Sequence, residues 1–194
     1  MFTGIIEKTA KVANSTNTDG VATLSIEKPI GWDLKVGQSI AVNGVCLTTV
    51  AFDDEKFQVE LVSETLQKTT FGKGIPNLVN LERAMLPLDR FEGHIVQGHV
   101  DAVGTISHME EIDGPSLLTI MYDSAFDHLV VGKGSVAING ISLTVVAANK
   151  GLLSVALIPH TLNHTTFDTL KEDDMVNLEF DIVGKYLVKQ MNTK

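Results

Sequence analysis

Short runs in which apolar and polar residues alternate recur along the whole chain. They lie at residues 21–27, 45–52, 57–62 and 117–122. This two-residue period, with many β-branched residues, is typical of strands that bury one face. The dipeptides Asn43-Gly44 and Asn139-Gly140 stand between apolar runs and tolerate positive φ, so each predicts a tight turn. The pattern predicts an all-β fold of small closed barrels.

Helical patterns are confined to a few short segments. Residues 123–129 begin with Asp and predict one capped turn or two, with residues 30–34 as the counterpart earlier in the chain. Apolar residues at 182, 183, 186, 187 and 191 fall on one face of a predicted C-terminal helix. A helix this short is unstable alone, so we expect it to pack on another surface.

The second half of the chain repeats the first. The segment GQSIAVNGVCLTTVA at 37–51 aligns with KGSVAINGISLTVVA at 133–147, and SETLQKTTF at 63–71 aligns with PHTLNHTTF at 159–167. The tetrapeptide VNLE occurs at 79–82 and again at 176–179. Because the blocks keep their order, the sequence predicts two similar units. We divide the chain into residues 1–94, residues 95–181 and a C-terminal helix for oligomerisation at 182–194.

Charge and targeting signals narrow the possible partners. The formal net charge is −9, and such a surface repels phosphate backbones and anionic lipids, so nucleic acid and membranes are not expected partners. No apolar run is long enough to span a bilayer, and the first residues lack the pattern of a signal peptide. We therefore expect a cytoplasmic protein.

Common motifs for metal and nucleotide chemistry do not occur. Cys46 is the only cysteine, which excludes an intrachain disulfide and Cys-based metal motifs. None of the six histidines lies in a His-Glu-x-x-His pattern, and no phosphate-binding or nucleophile-elbow glycine motif occurs. We expect no metal site.

Four motifs together resemble the riboflavin synthase family. They are Met-Phe-Thr-Gly-Ile at 1–5, Ser-Ile-Ala-Val-Asn-Gly-Val-Cys-Leu-Thr at 39–48, Gly-His-Ile-Val-Gln-Gly-His-Val-Asp at 93–101 and Asn-Gly-Ile-Ser-Leu-Thr at 139–144. The resemblance covers essentially the whole chain. It implies two six-stranded antiparallel Greek-key barrels followed by a C-terminal helix, assembled as a homotrimer. It also implies an active site where the first barrel of one subunit meets the second barrel of a neighbour.

The activity that the resemblance implies is a transferase reaction between two copies of one substrate. Each barrel would bind one 6,7-dimethyl-8-ribityllumazine, and a four-carbon unit would pass from one copy to the other. The products would be riboflavin and 5-amino-6-(D-ribitylamino)uracil. The resemblance implies no metal or organic cofactor, and it implies lumazine synthase as a partner. The alternative in the same family is a non-catalytic antenna protein that binds lumazine or a flavin.

The resemblance also implies a set of catalytic residues: Cys46, Ser142, His99, Phe2 and Ser39. Cys46 would polarise the pteridine ring or add to it, and Ser142 at the mirror position would hydrogen-bond the ring or a water. His99 would take a proton from the 7-methyl group of one substrate. For His94, the sequence leaves a structural and a functional role open.

Further residues fall at lumazine-binding positions of the family. These are Gly4, Ile5, Ile6, Thr48, Val62, Glu64, Thr65, Gly98, Val100, Lys133, Ile141, Leu143, Thr144, Ile158, His160, Thr161 and Asp181. Differences in chemical character between the two halves include those at Cys46 and Ser142, at Ile5 and His99, and at Glu64 and His160. His160 departs from the glutamate that is more usual in the family, and its imidazole can also hydrogen-bond a ribityl hydroxyl. Different residues suit a reaction in which two identical substrates have different roles.

Overall fold

The computed structural model describes residues 1–18, 20–111 and 116–191. The twelve strands of this part of the chain form two closed antiparallel barrels. The first barrel consists of β1 (Lys8–Thr18), β2 (Val21–Glu27), β3 (Ser39–Val42), β4 (Val45–Phe52), β5 (Lys56–Leu61) and β6 (Leu78–Arg83). The second consists of β7 (Ala102–Glu111), β8 (Ser116–Met121), β9 (Ser135–Ile138), β10 (Ile141–Asn149), β11 (Leu152–Leu157) and β12 (Met175–Phe180).

The two barrels have the same topology. The strand order in the first is β1-β2-β5-β4-β3-β6, and the second follows the same order from β7 to β12. In each barrel three strands follow one another as hairpins while the sixth strand returns beside the third, which is a Greek key. Register shifts between Val12 and Asn14 and between Ile106 and His108 occur at matching places. The predicted fold class is therefore confirmed.

Each barrel encloses its own hydrophobic core. In β2, alternate residues Ala22, Leu24 and Ile26 are buried, as a strand with one inward face requires. The first core is filled by side chains such as Phe57 and the second by residues such as Phe180. The alternation that predicted the strands thus reflects burial inside two separate barrels.

The Asn-Gly turns follow β3 and β9, and they adopt the predicted backbone conformation. Asn43 has φ 45° and Asn139 has φ 47°, and the glycine after each also has positive φ. The turns touch across the barrel interface, where an added Cβ on Gly44 would lie 2.5 Å from the backbone nitrogen of Gly140. Glycine at both positions therefore permits the two barrels to approach closely.

Helix is minor, as predicted. Two six-residue helices, α1 (Ser63–Lys68) and α2 (Pro159–His164), follow the fifth strand of each barrel, and α3 (Ile182–Met191) closes the described chain. A 3₁₀ helix at Ser124–Leu129 is capped by the Asp123 carboxylate, as predicted. The expected counterpart at 30–34 is wrong, because that segment forms only a turn in which Trp32 N–H donates to the Pro29 carbonyl.

The C-terminal helix packs against the second barrel. The Lys185 ammonium lies 2.6 Å from the Asp101 carboxylate, and both side chains are mostly buried. The last three residues of the predicted helix at 182–194 lie outside the described residues. The described helices are too short and too polar to include a membrane-spanning segment.

Four buried asparagines join the barrels. Asn80 Nδ2 donates to the Asn139 carbonyl, and Asn177 Nδ2 donates to the Asn43 carbonyl, at 3.0 and 2.9 Å. The side-chain oxygens of Asn80 and Asn177 accept from the backbone N–H groups of Thr166 and Thr70. Because every bond in one half has its equivalent in the other, this asparagine network fixes one relative position of the two barrels.

Replacing Asn177 by alanine is expected to lower the free energy of unfolding by about 1–3 kcal/mol. The change leaves the Thr70 N–H and one acceptor at the Asn43 carbonyl without their buried partner. Urea denaturation measures the effect, and Asn149→Ala at the exposed end of β10 is the matched control. Equal stability of the two variants would contradict a structural role of the asparagine network.

Candidate functional site

The segments that precede the two barrels exchange partners. The carbonyl of Gly4, at the start of the chain, accepts from the backbone N–H of Ser142 in the second barrel at 2.8 Å. The carbonyl of Gly98 accepts from the N–H of Cys46 in the first barrel at 2.9 Å. Each half therefore contributes a segment to the wall of the other barrel. The division at residues 94 and 95 stays a prediction.

Buried glutamates hold these exchanged segments in place. Glu82 accepts from the N–H groups of Thr3 and Gly4, and Glu179 accepts from the three consecutive N–H groups of residues 97–99. Burial raises the pKa of both carboxyls, and the backbone donors oppose that rise. Both glutamates belong to the repeated VNLE tetrapeptide, so the duplication supplies the same clamp twice.

The first candidate site is a cavity of about 230 Å³ beside β4 and α1. Its lining includes Cys46, Glu64, Thr65, Lys68, Gly98, His99 and Val100. Cys46 is half-buried and His99 is exposed, so a thiol and an imidazole line the same cavity. Close packing requires glycine at position 98, because a Cβ there would lie 2.5 Å from the Cys46 Cβ. The structure thus brings together seven residues from different parts of the chain.

An ion pair crosses the exposed side of α1 in this first site. Lys68 Nζ lies 2.8 Å from Glu64 Oε1. The hydrogen bond from Lys68 lowers the pKa of the Glu64 carboxyl, so this side chain presents a charged acceptor. A carboxylate of this kind suits the hydroxyl groups of a polyol.

The second candidate site occupies the equivalent place on the second barrel. Ser142 on β10 is half-buried, His160 and Thr161 lie on α2, and the exchanged segment places Ile5 and Ile6 there. These positions correspond to those of Cys46, Glu64, Thr65, His99 and Val100 in the first site. The chemistry differs, because the second site has a hydroxyl in place of the thiol.

His94 contacts the second site. Its Nδ1 lies 2.7 Å from Ser142 Oγ, and the imidazole is buried. Burial lowers the pKa of His94, opposed by the charge of Asp181, so the ring is neutral at pH 7. A neutral imidazole on a serine hydroxyl can accept a proton. The first half has no residue equivalent to His94.

Ser39, Thr48 and Val62 are not lining residues of the first cavity, although they lie on or next to the elements that form it. Ser39 pairs with Thr48 across β3 and β4, and Thr144 pairs with Ser135 across the equivalent strands. Val62 and Ile158, just before α1 and α2, are more than half exposed. Each site thus has an exposed rim with polar and apolar groups.

The remaining predicted site residues range from fully buried to exposed. Phe2 is fully buried and packs with Cys46 in a small cluster between the barrels. Ile141 and Leu143 point into the second core, so only their backbone groups face the site. Lys133 is exposed with φ 66°, and Asp181 caps α3 by accepting from the Val183 N–H.

Sequence patterns left several site features unassigned. The alternation and helical periodicity of the sequence do not predict α1 and α2, although Pro159 at the first turn of α2 is a helix-start signal. Lys68, Thr69 and the Glu82 and Glu179 clamps were not singled out. Their signal was the repetition itself, because all four lie in blocks that align between the halves.

Comparisons with known proteins place the chain in a known family. Residues 3–84 and 97–181 match the model of the lumazine binding domain family, which makes the chain a tandem lumazine-binding-domain protein. The riboflavin synthase of Actinobacillus pleuropneumoniae is 42% identical over 96% of this chain and 88% of its own. That of Mycobacterium tuberculosis strain H37Rv is 40% identical over 100% of this chain and 99% of its own. The chain belongs to the riboflavin synthase family.

Solved structures share the fold. LumP complexed with 6,7-dimethyl-8-(1'-D-ribityl) lumazine has a TM-score of 0.82, and LumP complexed with riboflavin has 0.84. Their sequence identities to this chain are 21% and 22%, over 93% of this chain and 99% of LumP. At this identity the likeness shows the architecture alone.

Proposed function

We propose that the chain is a riboflavin synthase. It transfers a four-carbon unit between two molecules of 6,7-dimethyl-8-ribityllumazine and releases riboflavin and 5-amino-6-(D-ribitylamino)uracil. The observation that carries the proposal is the presence of two equivalent sites with different reactive groups, a thiol at Cys46 and a hydroxyl at Ser142. Similar walls suit two identical substrates, and different side chains suit a donor and an acceptor.

In the first site, Cys46 acts on the pteridine ring by polarising it or by adding to it. His99 lines the same cavity and accepts a proton from the 7-methyl group, which the electron-poor ring already acidifies. Glu64 and Thr65 bind the ribityl hydroxyls, while Thr48 and Ser39 bond polar atoms of the ring. Phe2 belongs to the buried cluster against which Cys46 packs, and it is therefore a positioning residue for the thiol.

In the second site, Ser142 and His94 work as a pair. The neutral imidazole accepts the hydroxyl proton or keeps the hydroxyl oriented towards the ring. Asp181 lies close enough to influence the charge of His94. Thr144, His160 and Thr161 provide polar contacts for the second lumazine, with the imidazole of His160 replacing the carboxylate of the first site.

The assembly that fits these two sites is a homotrimer. α3 leaves Val183, Tyr186 and Leu187 more than half exposed, and such an apolar face suits a seam between subunits. The rims around Val62 and Ile158 are open, so the first barrel of one subunit can face the second barrel of another. A cytoplasmic location and lumazine synthase as a partner complete the proposal.

The antenna function is the second candidate, because the fold of LumP matches. A chain that only binds a chromophore needs neither a thiol nor a buried serine–histidine pair, and this chain has both. Incubation of the pure protein with the lumazine distinguishes the two functions. A riboflavin synthase produces riboflavin with EDTA present, whereas an antenna protein retains the lumazine unchanged in a stable complex.

The pH dependence of kcat/KM is expected to reflect His94. Because burial lowers its pKa below the ordinary value of about 6.5, the ring stays neutral until the pH falls through that lowered value. Activity that depends on the neutral ring is therefore retained near pH 6.5 and lost at more acidic pH. A pH–rate profile of the wild type against His94→Gln measures this acid limb.

The matched control is His108→Gln, since His108 is exposed and pairs with Glu172 away from both sites. His108→Gln should preserve the acid limb, and His94→Gln should remove it together with most of the activity. If the acid limb of the pH–rate profile is unchanged in His94→Gln, the group that titrates is not His94.

A further inference from the structure

Two imidazoles stand side by side on α2, the helix of the second site. His160 and His164 are one helical turn apart and both are exposed. Their ring centroids are 4.2 Å apart and the ring planes differ by 25°. Histidines four residues apart on a helix face can bind one metal ion together, which is the spacing used by zinc sites on helices.

The hydrogen bonding of His164 leaves one ring nitrogen available as a ligand. Its Nδ1 lies 2.8 Å from the carbonyl oxygen of His160. A carbonyl oxygen only accepts, so Nδ1 carries the hydrogen and Nε2 of the neutral ring bears the free electron pair. Metal-binding histidines are oriented in the same way, by donating their second N–H to a backbone carbonyl.

The equivalent positions in the first half show the opposite chemistry. Glu64 and Lys68 occupy the places of His160 and His164, and there the lysine ammonium already neutralises the carboxylate. A divalent cation would meet that ammonium as a like charge. The two halves therefore differ in a way that permits an ion at α2 and disfavours one at α1.

We propose that His160 and His164 bind one divalent transition-metal ion at the rim of the second site. Imidazole nitrogens favour Zn²⁺, Cu²⁺ and Ni²⁺, whereas Mg²⁺ and Ca²⁺ take oxygen ligands. Water fills the remaining positions, because no group of three or more His, Cys, Asp or Glu residues in the described part of the chain forms a metal-binding cluster. Because the two rings are stacked, the exposed His160 ring has to turn about its side-chain bonds before its nitrogen and Nε2 of His164 point at one ion.

The consequence for ligand binding rests on the proposed function. His160 and Thr161 are contact residues of the second lumazine, so an ion held by His160 competes with the ribityl chain. Zn²⁺ would then inhibit from the second site while the first site keeps its ligand. The ion is an inhibitor in this proposal and has no part in the reaction.

Isothermal titration of Zn²⁺ into the untagged full-length protein tests the site directly. The wild type should bind one ion per chain with saturation, and Mg²⁺ should give no such signal. The variant His160→Glu with His164→Lys reproduces the ion pair of α1, which the same fold already accommodates, and should weaken Zn²⁺ binding more than tenfold. The reciprocal variant, Glu64→His with Lys68→His, should gain an additional ion.

Two controls address the other donors in the chain. His108→Gln and Cys46→Ser should each retain the Zn²⁺ site, since neither residue lies on α2. The proposal is overturned if the wild type binds no Zn²⁺, if the α2 variant binds it as tightly as the wild type, or if a control variant abolishes binding.

The proposed function is tested separately from the ion. Titration measures Zn²⁺ with no substrate present, and riboflavin formation is measured in EDTA with no ion present. Saturable binding that the α2 variant loses, in a protein without turnover in EDTA, would leave the metal site intact and reject the enzyme. Turnover in EDTA by a protein that binds no Zn²⁺ would support the enzyme and reject the metal site.

Discussion

Cys46→Ala is expected to lower kcat more than tenfold, which corresponds to over about 1.4 kcal/mol of activation free energy. The thiol is the strongest nucleophile among the lining residues of the first cavity, because the hydroxyls of Thr65 and Thr69 are weaker nucleophiles and the Lys68 ammonium is paired with Glu64. Steady-state assays of riboflavin formation measure the loss. Ser107→Ala, at an exposed serine of β7, is a matched control for a small truncation.

Ser142→Ala should give a different result although Ser142 and Cys46 are repeat mates. It removes the hydroxyl partner of His94 and leaves that imidazole buried. The acid limb of the pH–rate profile should therefore change in Ser142→Ala and stay unchanged in Cys46→Ala. Full turnover by Cys46→Ala would reduce the thiol to a packing residue of the cluster around Phe2.

Two inactive variants are expected to restore activity when they are unfolded together and refolded as a mixture. One parent carries Cys46→Ala in the first barrel, and the other carries His94→Ala with Ser142→Ala in the second site. If a site joins barrels of different subunits, some interfaces in mixed trimers combine two intact barrels. Random mixing of equal amounts should return about a quarter of the wild-type activity.

The two parent variants must carry their changes in different sites. Cys46 and His99 line the same first site, so a mixture of Cys46→Ala with His99→Ala could not rebuild that site from two chains. This mixture is the matched control and should stay inactive. If the first mixture also stays inactive while each parent refolds to a trimer, the shared-site proposal fails and the family membership is unaffected.

Most of the fold could be predicted from local pattern. The strands β2 and β4 and the helix α3 have the bounds that alternation and helical periodicity indicated, because in these segments burial follows the local period. Residues 30–34 do not form the predicted helical turn, because the turn there is set by Pro29 and Trp32 rather than by helical propensity. The duplication predicted the second barrel from the first.

The arrangement of the two sites could be predicted from the sequence only in part. Cys46 meets His99 because the segment before the second barrel crosses to the first barrel, whereas His94, earlier in that segment, stays beside Ser142 of the second barrel. No local period encodes this path. His94 and His99 lie in a segment that forms no regular strand. The segment is held largely by Glu179 instead, and the two histidines nevertheless serve different sites.

The repeated VNLE tetrapeptide contributes both to the barrel interface and to the exchanged segments. Asn80 and Asn177 join the barrels, and Glu82 and Glu179 hold the exchanged segments. A polar pair inside an apolar strand is costly to bury unless its hydrogen bonds are satisfied, so its repetition was the available signal of an interface.

The stoichiometry of one complete reaction tests the central claim most directly. Pure protein in EDTA is incubated with a known amount of 6,7-dimethyl-8-ribityllumazine, and chromatography quantifies all species at the end. One riboflavin and one 5-amino-6-(D-ribitylamino)uracil are expected for every two lumazine molecules consumed. Recovery of all the lumazine unchanged, with the protein bound to it, would contradict the account.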